Sequence, residues 1–325
     1  MKILVTPTSF SLKNVPDAWK FLESFAAEIV VNPTGKPLTE DEIIPLLEGV
    51  DGWIAGLDYI TEKVIQQAPA GLKAISRYGV GIERVNLTAA SNRGILVANT
   101  PGTNSESVAD LVFGLMLAVA RRIPFLNEQV KNGGWPRFSG TELYKKTIGI
   151  LGLGAIGKAV AKRAAGFSMK IAAYDPWMDN EYAVKNGIIP MTLDELITCS
   201  DILSLHLPLN GQTQNILNAE RISQLRPGVI IVNTARGGLM DEEALLAGLK
   251  SGRIGGLGLD AFVVEPPVGN SLFQFDNVVA TPHSGAHTTE ATLNMAMMSV
   301  ENLRCMLLGI PCMNVVNNEC EKDKK

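Results

Sequence analysis

The strongest constraint on the fold is the hexapeptide Gly152-Leu153-Gly154-Ala155-Ile156-Gly157. It follows the apolar run Ile148-Gly149-Ile150-Leu151 directly and opens a helix-forming stretch. In that strand–turn–helix context a G-x-G-x-x-G spacing carries more weight than a plain glycine turn. Gly152 permits the tight turn, Gly154 lets backbone approach a pyrophosphate, and Gly157 allows close helix–strand packing. The helix start offers unpaired N–H groups and the positive end of its dipole to phosphates. Asp175 closes the next apolar run, Ala172-Ala173-Tyr174-Asp175, about twenty residues on, where a carboxylate can accept from both hydroxyls of an adenosine ribose. It would repel a 2′-phosphate, and no Lys or Arg follows in Pro176-Trp177-Met178-Asp179. NAD is therefore expected over NADP. The plainer reading of Asp175 is a strand-end residue in a turn.

Short apolar runs alternate with helix-length segments along the chain, as in an α/β protein with parallel sheets. Ile3–Val5, Ile29–Val31, Gly52–Ala55, Lys73–Ser76 and Ile95–Ala98 read as strands of a first series. Helical periodicity covers Pro16–Ala27 and Glu40–Glu48. Pro101-Gly102 is a turn suited to a hinge. A second series begins with one long helix over Thr103–Arg122, started near Ser105 or Ser107 and closed by Pro124. Thr147–Leu151, Lys170–Tyr174, Ile202–His206, Val229–Asn233, Gly256–Asp260 and Asn277–Ala280 read as strands, with a helix over Ala155–Phe167. A long helix over Glu290–Leu308 and a final strand over Cys312–Val316 follow, and the charged residues 319–325 read as a frayed tail.

Bulk properties exclude several classes. At 325 residues the chain exceeds one typical core, so two domains are expected. Its net charge of −4 and lack of a Lys/Arg cluster argue against nucleic acid. The longest apolar stretch, Val108–Ala120, is interrupted by Asp110 and too short to span a bilayer, which suggests a buried or subunit-interface helix. The N-terminus enters a strand-like run without signal-peptide architecture. Cys199, Cys305, Cys312 and Cys320 show neither C-x-x-C nor metal-site spacing, so reduced thiols in a cytoplasmic protein and no metal are expected.

Three loops of the second half carry chemistry. Arg236 follows the apolar run Val229–Val232, at the carboxyl edge where doubly wound sheets place ligands. A guanidinium there can bind a carboxylate through two hydrogen bonds and polarise a keto oxygen, and the flanking Thr234-Ala235 and Gly237-Gly238 allow close approach. Taken alone, a loop arginine is more often a surface ion pair. His283 follows Val278-Val279-Ala280, and histidine is the side-chain type best suited to a general base near neutrality. Glu265 can bond the far nitrogen and fix the tautomer. His206 and His287 are rivals for the base.

Taken together, these residues resemble the D-isomer-specific 2-hydroxyacid dehydrogenase family over nearly the whole chain. Further matching segments are Arg77-Tyr78-Gly79-Val80-Gly81, Asn99-Thr100-Pro101-Gly102, Ser107-Val108-Ala109-Asp110-Leu111, Gly140-Thr141-Glu142-Leu143 and His283-Ser284-Gly285-Ala286. The resemblance implies Arg236, Glu265 and His283 as the catalytic set, and a homodimer formed through the cofactor domain. It implies two doubly wound parallel-sheet domains: a flavodoxin-like substrate domain from 1–100 and 288–325, with an NAD-binding Rossmann domain, 101–287, inserted. By the same resemblance Asp260 orients the nicotinamide amide, Ala155 and Ile156 meet the pyrophosphate, and Leu207, Thr234, Ala235, Gly285 and Ala286 join the cofactor site. Among its branches the chain looks most like the phosphoglycerate dehydrogenases. Arg77 and Arg137 match positions that face a substrate phosphate in some of those enzymes, whereas a further arginine of that branch is Ala55 here. Regulatory extensions carried by some members have no counterpart, so feedback through such a domain is not expected. Glutamine stands at the Glu265 position in the formate dehydrogenases, which argues against formate.

The reaction expected is hydride exchange between a D-2-hydroxy acid and nicotinamide. His283 moves the hydroxyl proton, and Arg236 holds the carboxylate with help from the N–H groups of Gly79–Gly81. Closure about Pro101-Gly102 and His287-Thr288 is expected to exclude water. Two competing readings are an NAD-sensing corepressor that keeps the same fold and a Rossmann methyltransferase. The latter shares the glycine turn but leaves Arg236, Glu265 and His283 unexplained.

Overall fold

The computed structural model describes residues 1–317, so the tail read as frayed, 319–325, lies outside the described residues. The chain divides into two compact units, Met1–Asn104 with the chain from His287 onward, and Ser105–Ala286.

The first unit holds a five-stranded sheet of β1 (Lys2–Val5), β2 (Glu28–Val31), β3 (Gly52–Ala55), β4 (Ala74–Arg77) and β5 (Leu96–Ala98). All pairings are parallel, in the order β2-β1-β3-β4-β5. That is the flavodoxin-like doubly wound order. Parallel strands covered on both faces read as continuous apolar runs, and Ile3-Leu4-Val5 and Trp53-Ile54-Ala55 are buried throughout. On one face Leu4, Trp53, Ile75 and Val97 pack with Ile43, Leu47, Val64 and Ile65 from the connecting helices. The long helix Thr289–Leu308 also packs against β3, β4 and β5. Thr288 caps its start by accepting from Ala291 N at 3.2 Å, and Gly309 ends it at φ 67°.

The second unit carries β6 (Thr147–Leu151), β7 (Lys170–Tyr174), β8 (Ile188–Pro190), β9 (Ile202–Leu205), β10 (Val229–Asn233), β11 (Ile254–Leu259) and β12 (Val278–Ala280). The order is β12-β11-β10-β9-β6-β7-β8, again all parallel. Strand order reverses between β6 and β9, which opens a crevice at their carboxyl ends. Helix Ser105–Ala120 lies against β10, β11 and β12. The glycines of β11 make room for it: a Cβ at Gly256 would sit 2.4 Å from Val119 Cγ1, and one at Gly258 2.9 Å from Leu115 Cβ. Close packing against a helix thus explains why a central strand reads Ile-Gly-Gly-Leu-Gly-Leu despite the low strand propensity of glycine.

Four local expectations need correction. The helix expected over Thr103–Arg122 is Ser105–Ala120, and Pro124 lies in the first turn of a second helix, Ile123–Lys131, rather than closing the first. Arg122 makes the break with φ 47°, and proline suits a first turn because its missing N–H has no partner to lose. Glu40–Glu48 is an α-turn, Glu40–Ile43, that tightens to a 3₁₀ helix, Ile44–Leu47, at Pro45. The strand expected over Cys312–Val316 reduces to one antiparallel bridge, Ala98↔Val315. The short strand β8 is an addition; it sits at a sheet edge, where Pro190 is tolerated.

Asp58, 1% exposed, fastens the carboxyl edge of the first sheet. Its carboxylate accepts from Gly56 N and Leu38 N, each at 2.9 Å, and from the Thr6 hydroxyl. Replacing Asp58 with Ala strands the buried Leu38 N–H, at a cost of about 1–3 kcal/mol, and leaves Gly56 N–H with Thr6 Oγ1 as its acceptor. Urea unfolding should show a clearly lowered midpoint; an unchanged midpoint would mean that Asp58 does not hold these loops.

Candidate active site

The glycine turn sits at the strand-order reversal. Gly152 has φ 99°, and a Cβ there would lie 2.7 Å from the carbonyl carbon of His206, at the end of β9. A Cβ at Gly157 would lie 2.1 Å from Gly152 O. Both glycines are therefore demanded by packing within the protein. Gly154 is not, since no described atom lies within 4 Å of its Cβ position. It leaves open space before the helix Ala155–Gly166, whose cap residue it is and to which it offers no side-chain acceptor. An anion at that end would meet N–H groups and the favourable end of the dipole. Asp175 is half-buried, its Oδ2 accepting from Leu153 N at 2.7 Å and its Oδ1 from Trp177 N at 2.9 Å. The carboxylate is thus locked beside the turn. Leu207 is buried at the end of β9. Past the neighbouring β10 end, the buried Thr234 hydroxyl has no hydrogen-bond partner among the described residues. Open space at a helix start, a fixed carboxylate and an unpartnered hydroxyl on one sheet edge fit a dinucleotide.

Arg236 lies on the loop after β10. Asn233 staples that loop, its Nδ2 donating to Arg236 O at 2.8 Å and its Oδ1 accepting from Ala235 N at 3.0 Å. The half-buried Arg236 side chain donates from Nη1 to Ala235 O at 2.7 Å. A Cβ at Gly237 would lie 2.2 Å from the carbonyl carbon of Phe262. The arginine loop therefore packs directly on the chain leading to Glu265.

His283 stands on the loop after β12 with φ 50°, a left-handed conformation uncommon for a residue with a side chain. What holds it there is Asp260, 1% exposed at the end of β11. Asp260 Oδ1 accepts from Thr281 Oγ1 at 2.6 Å and Ser284 N at 2.7 Å, while Oδ2 accepts from Gly285 N at 2.8 Å. His283 Nδ1 lies 2.8 Å from Glu265 Oε1, which also accepts from Phe262 N at 3.2 Å. A carboxylate can only accept, so the proton sits on Nδ1 and the lone pair on Nε2. The His283 side chain is 39% exposed and that of Glu265 28%, so the pair is accessible to a small molecule.

The other histidines are placed differently. His206 Nε2 is 2.8 Å from Ser204 Oγ, and its Nδ1 is buried without a partner among the described residues. Burial pushes this imidazole down to about 3, too low for a base working near neutrality. His287 is exposed in the first unit. Arg77 is 8% exposed, its Nη1 donating to the carbonyls of Ala55, at 3.4 Å, and Tyr78. Tyr78 is buried, its hydroxyl donating to Thr292 O at 3.2 Å. Gly79, at φ 136°, donates its N–H to Thr100 Oγ1 at 3.0 Å, and Asn99 Nδ2 donates to Val80 O at 2.8 Å, which leaves Val80 and Gly81 on a tied loop. Arg137 is exposed on the segment between helix Ile123–Lys131 and β6. Asn233 and Thr281 escaped the reading of the sequence as supporting residues. An Asn followed by a tight loop is a recognisable turn cue, whereas nothing in the sequence marks the pairing of Thr281 with Asp260.

Among the described residues no group of three or more His, Cys, Asp or Glu side chains could hold a metal ion. No described helix is long and apolar enough to cross a membrane.

Residues 113–285 match the family model described as D-isomer specific 2-hydroxyacid dehydrogenase, NAD binding domain. A D-3-phosphoglycerate dehydrogenase from Synechocystis sp. is 42% identical over 283 residues, 86% of this chain and 51% of that protein. A hydroxypyruvate reductase from Thermotoga maritima is 42% identical over 296 residues, 87% of this chain and 94% of its own. The solved structure of the TT0316 protein from Thermus thermophilus superposes with a TM-score of 0.87 at 37% identity, covering 97% of this chain and 100% of that one. The chain spans about half the length of the phosphoglycerate dehydrogenases it matches. A matched domain over more than half its length, and relatives this similar along most of the rest, place the chain in the D-isomer specific 2-hydroxyacid dehydrogenase family.

Proposed function

We propose that the protein is an NAD-dependent oxidoreductase that interconverts a D-2-hydroxy acid and its 2-keto acid. The observation that carries this reading is the Glu265–His283 pair, 2.8 Å apart on a turn gripped by Asp260. NAD, when bound, supplies the hydride acceptor for oxidation and, reduced, the donor for the reverse reaction. Gly152, Gly154, Ala155, Ile156 and Gly157 would hold its pyrophosphate and Asp175 its ribose diol, with Leu207, Thr234, Ala235, Gly285 and Ala286 completing the site. We assign Asp260 first to holding the His283 turn, since both of its oxygens already take protein donors.

His283 Nε2 takes up the hydroxyl proton in oxidation and returns it to the keto oxygen in reduction. Glu265 keeps Nδ1 protonated and balances the imidazolium that forms. Arg236 pairs with the substrate carboxylate, and Val80 and Gly81 of the Gly79–Gly81 loop add N–H donors. The unit formed by residues 1–104 and the chain from His287 onward would serve the substrate, and the unit 105–286 the cofactor.

For the substrate, the relatives named D-3-phosphoglycerate dehydrogenase at 40–42% identity support oxidation of 3-phosphoglycerate in serine biosynthesis, with Arg77 and Arg137 toward the phosphate. Two observations favour a second reading as a hydroxypyruvate or glyoxylate reductase. The chain spans 94% of the T. maritima hydroxypyruvate reductase, and the Arg77 guanidinium is buried against backbone carbonyls. The NADH-dependent kcat/KM for 3-phosphohydroxypyruvate against hydroxypyruvate separates the two. No advantage for the phosphorylated acid would remove the phosphate role of Arg77 and Arg137. We further place the protein in the cytoplasm as a homodimer formed through the cofactor unit. Trp135, Phe138 and Tyr144, 78%, 43% and 55% exposed on one segment of that unit, support the dimer, and the free Cys199, Cys305 and Cys312 support a reducing compartment.

General acid–base action is typically worth ~10²–10⁴-fold, so His283→Ala should lose turnover by that order and keep NADH binding measured by fluorescence. Wild-type turnover in this variant would remove His283 from the mechanism. Glu265→Gln, which keeps a hydrogen bond but not the charge, should fall between wild type and His283→Ala.

His206 sets a pH effect of another kind. Its folded value of about 3 lies below the ordinary 6.5, so the unfolded chain binds the proton first. Stability should therefore fall as pH drops from 6.5 towards 3. His206→Asn should flatten that acid limb in urea unfolding; an equally steep limb would assign it to other groups.

A further inference from the structure

The second unit is entered by the chain at Ser105 and left at Ala286. These two points are joined by one side chain. Ser107, in the first turn of helix Ser105–Ala120, donates from Oγ to Gly285 O at 2.6 Å, and it is 9% exposed. Gly285 is thereby gripped on both sides of its Cα, since its N–H donates to Asp260 Oδ2 at 2.8 Å.

The grip matters because of what Gly285 is. A Cβ there would lie 3.1 Å from Asp260 Oδ2 and 3.2 Å from Val108 Cγ2, so helix and carboxylate approach Gly285 closely enough to crowd any side chain. Glycine is also the most permissive residue about its backbone torsions. It stands two residues after His283, in the turn that keeps the imidazole at φ 50°. Asp260 fixes the amide side of the Gly285 torsions, and the carbonyl side is fixed by Ser107. Loss of the Ser107 hydroxyl would leave a buried carbonyl unpaired and let the end of the turn rotate. Nε2 would then no longer be held in one place.

We propose that Ser107 is a positioning residue for the acid–base step, acting on His283 through the Gly285 carbonyl. The proposal rests on His283 being the acid–base group, so the test carries a control for that reading. Ser107→Ala, Ser107→Thr and His283→Ala are made in the full chain and assayed with NADH and hydroxypyruvate or 3-phosphohydroxypyruvate, whichever is turned over. Misplacing a reacting group by about 1 Å can cost 10²-fold, so Ser107→Ala should lower kcat roughly 10- to 100-fold. The loss in kcat should exceed any loss in NADH affinity, the midpoint of the kcat/KM pH profile should move, and Ser107→Thr should restore both kcat and midpoint. With only three histidines in the chain, ¹H–¹³C spectra read the His283 ring directly, and its titration should move in Ser107→Ala. Wild-type kcat and pH profile in Ser107→Ala, beside an inactive His283→Ala, would overturn the role of Ser107 and leave the reaction reading intact. Full turnover in His283→Ala would overturn both. Should Ser107→Ala fail to fold, Ser107→Cys, nearly isosteric with a weaker donor, is judged by the same profile.

Discussion

The site depends on one buried carboxylate. Asp260 ends the central strand β11 with almost no exposure and receives the Thr281 hydroxyl and the N–H groups of Ser284 and Gly285. A buried ionised group costs several kcal/mol unless hydrogen-bonded, and here the donors that satisfy it are those of a single turn. Satisfying Asp260 and shaping the turn are therefore the same event. The left-handed backbone of His283, unfavourable in isolation, is imposed by that event and brings the imidazole to Glu265.

The same economy of position recurs along the carboxyl edge of the sheet. β6, β9, β10, β11 and β12 are parallel, so their following loops emerge on one side, and the reversal between β6 and β9 separates the connecting helices there. Gly152 and Gly157 are explained by what they touch within the protein, whereas Gly154 is explained by what it leaves open. Asn233 and Gly237 then seat the Arg236 loop on the chain that carries Glu265.

Much of this was legible in the sequence because it is local. The glycine turn, the strand-end Asp175 and the alternation of apolar runs with helical segments follow from periodicity and backbone sterics, and the strands fall within a residue or two of where those cues put them. Local cues erred where two could act on one segment. Pro124 signals a helix end and a helix start equally well, and the turn at Arg122 decided for the start. Residues 312–316 have the composition of a strand, but they make a single bridge to Ala98 rather than a ladder. Arg77, which the family resemblance turns toward a substrate phosphate, has a buried guanidinium that donates to the Ala55 and Tyr78 carbonyls, a placement no local cue announces.

By itself the sequence determined that the chain forms parallel α/β layers with a glycine turn between β6 and the helix that follows it, and that Arg236 and His283 come just after strands. Those properties need only the chain's own torsions and the spacing of apolar residues. The tertiary structure alone decided which groups hold the Glu265–His283 pair in place: Asp260 with the turn at 281–285, and Ser107 with Gly285 across 178 residues. Each of those contacts closes a loop whose entropy cost is met only when the surrounding sheet is already packed, so no short stretch of chain can encode it.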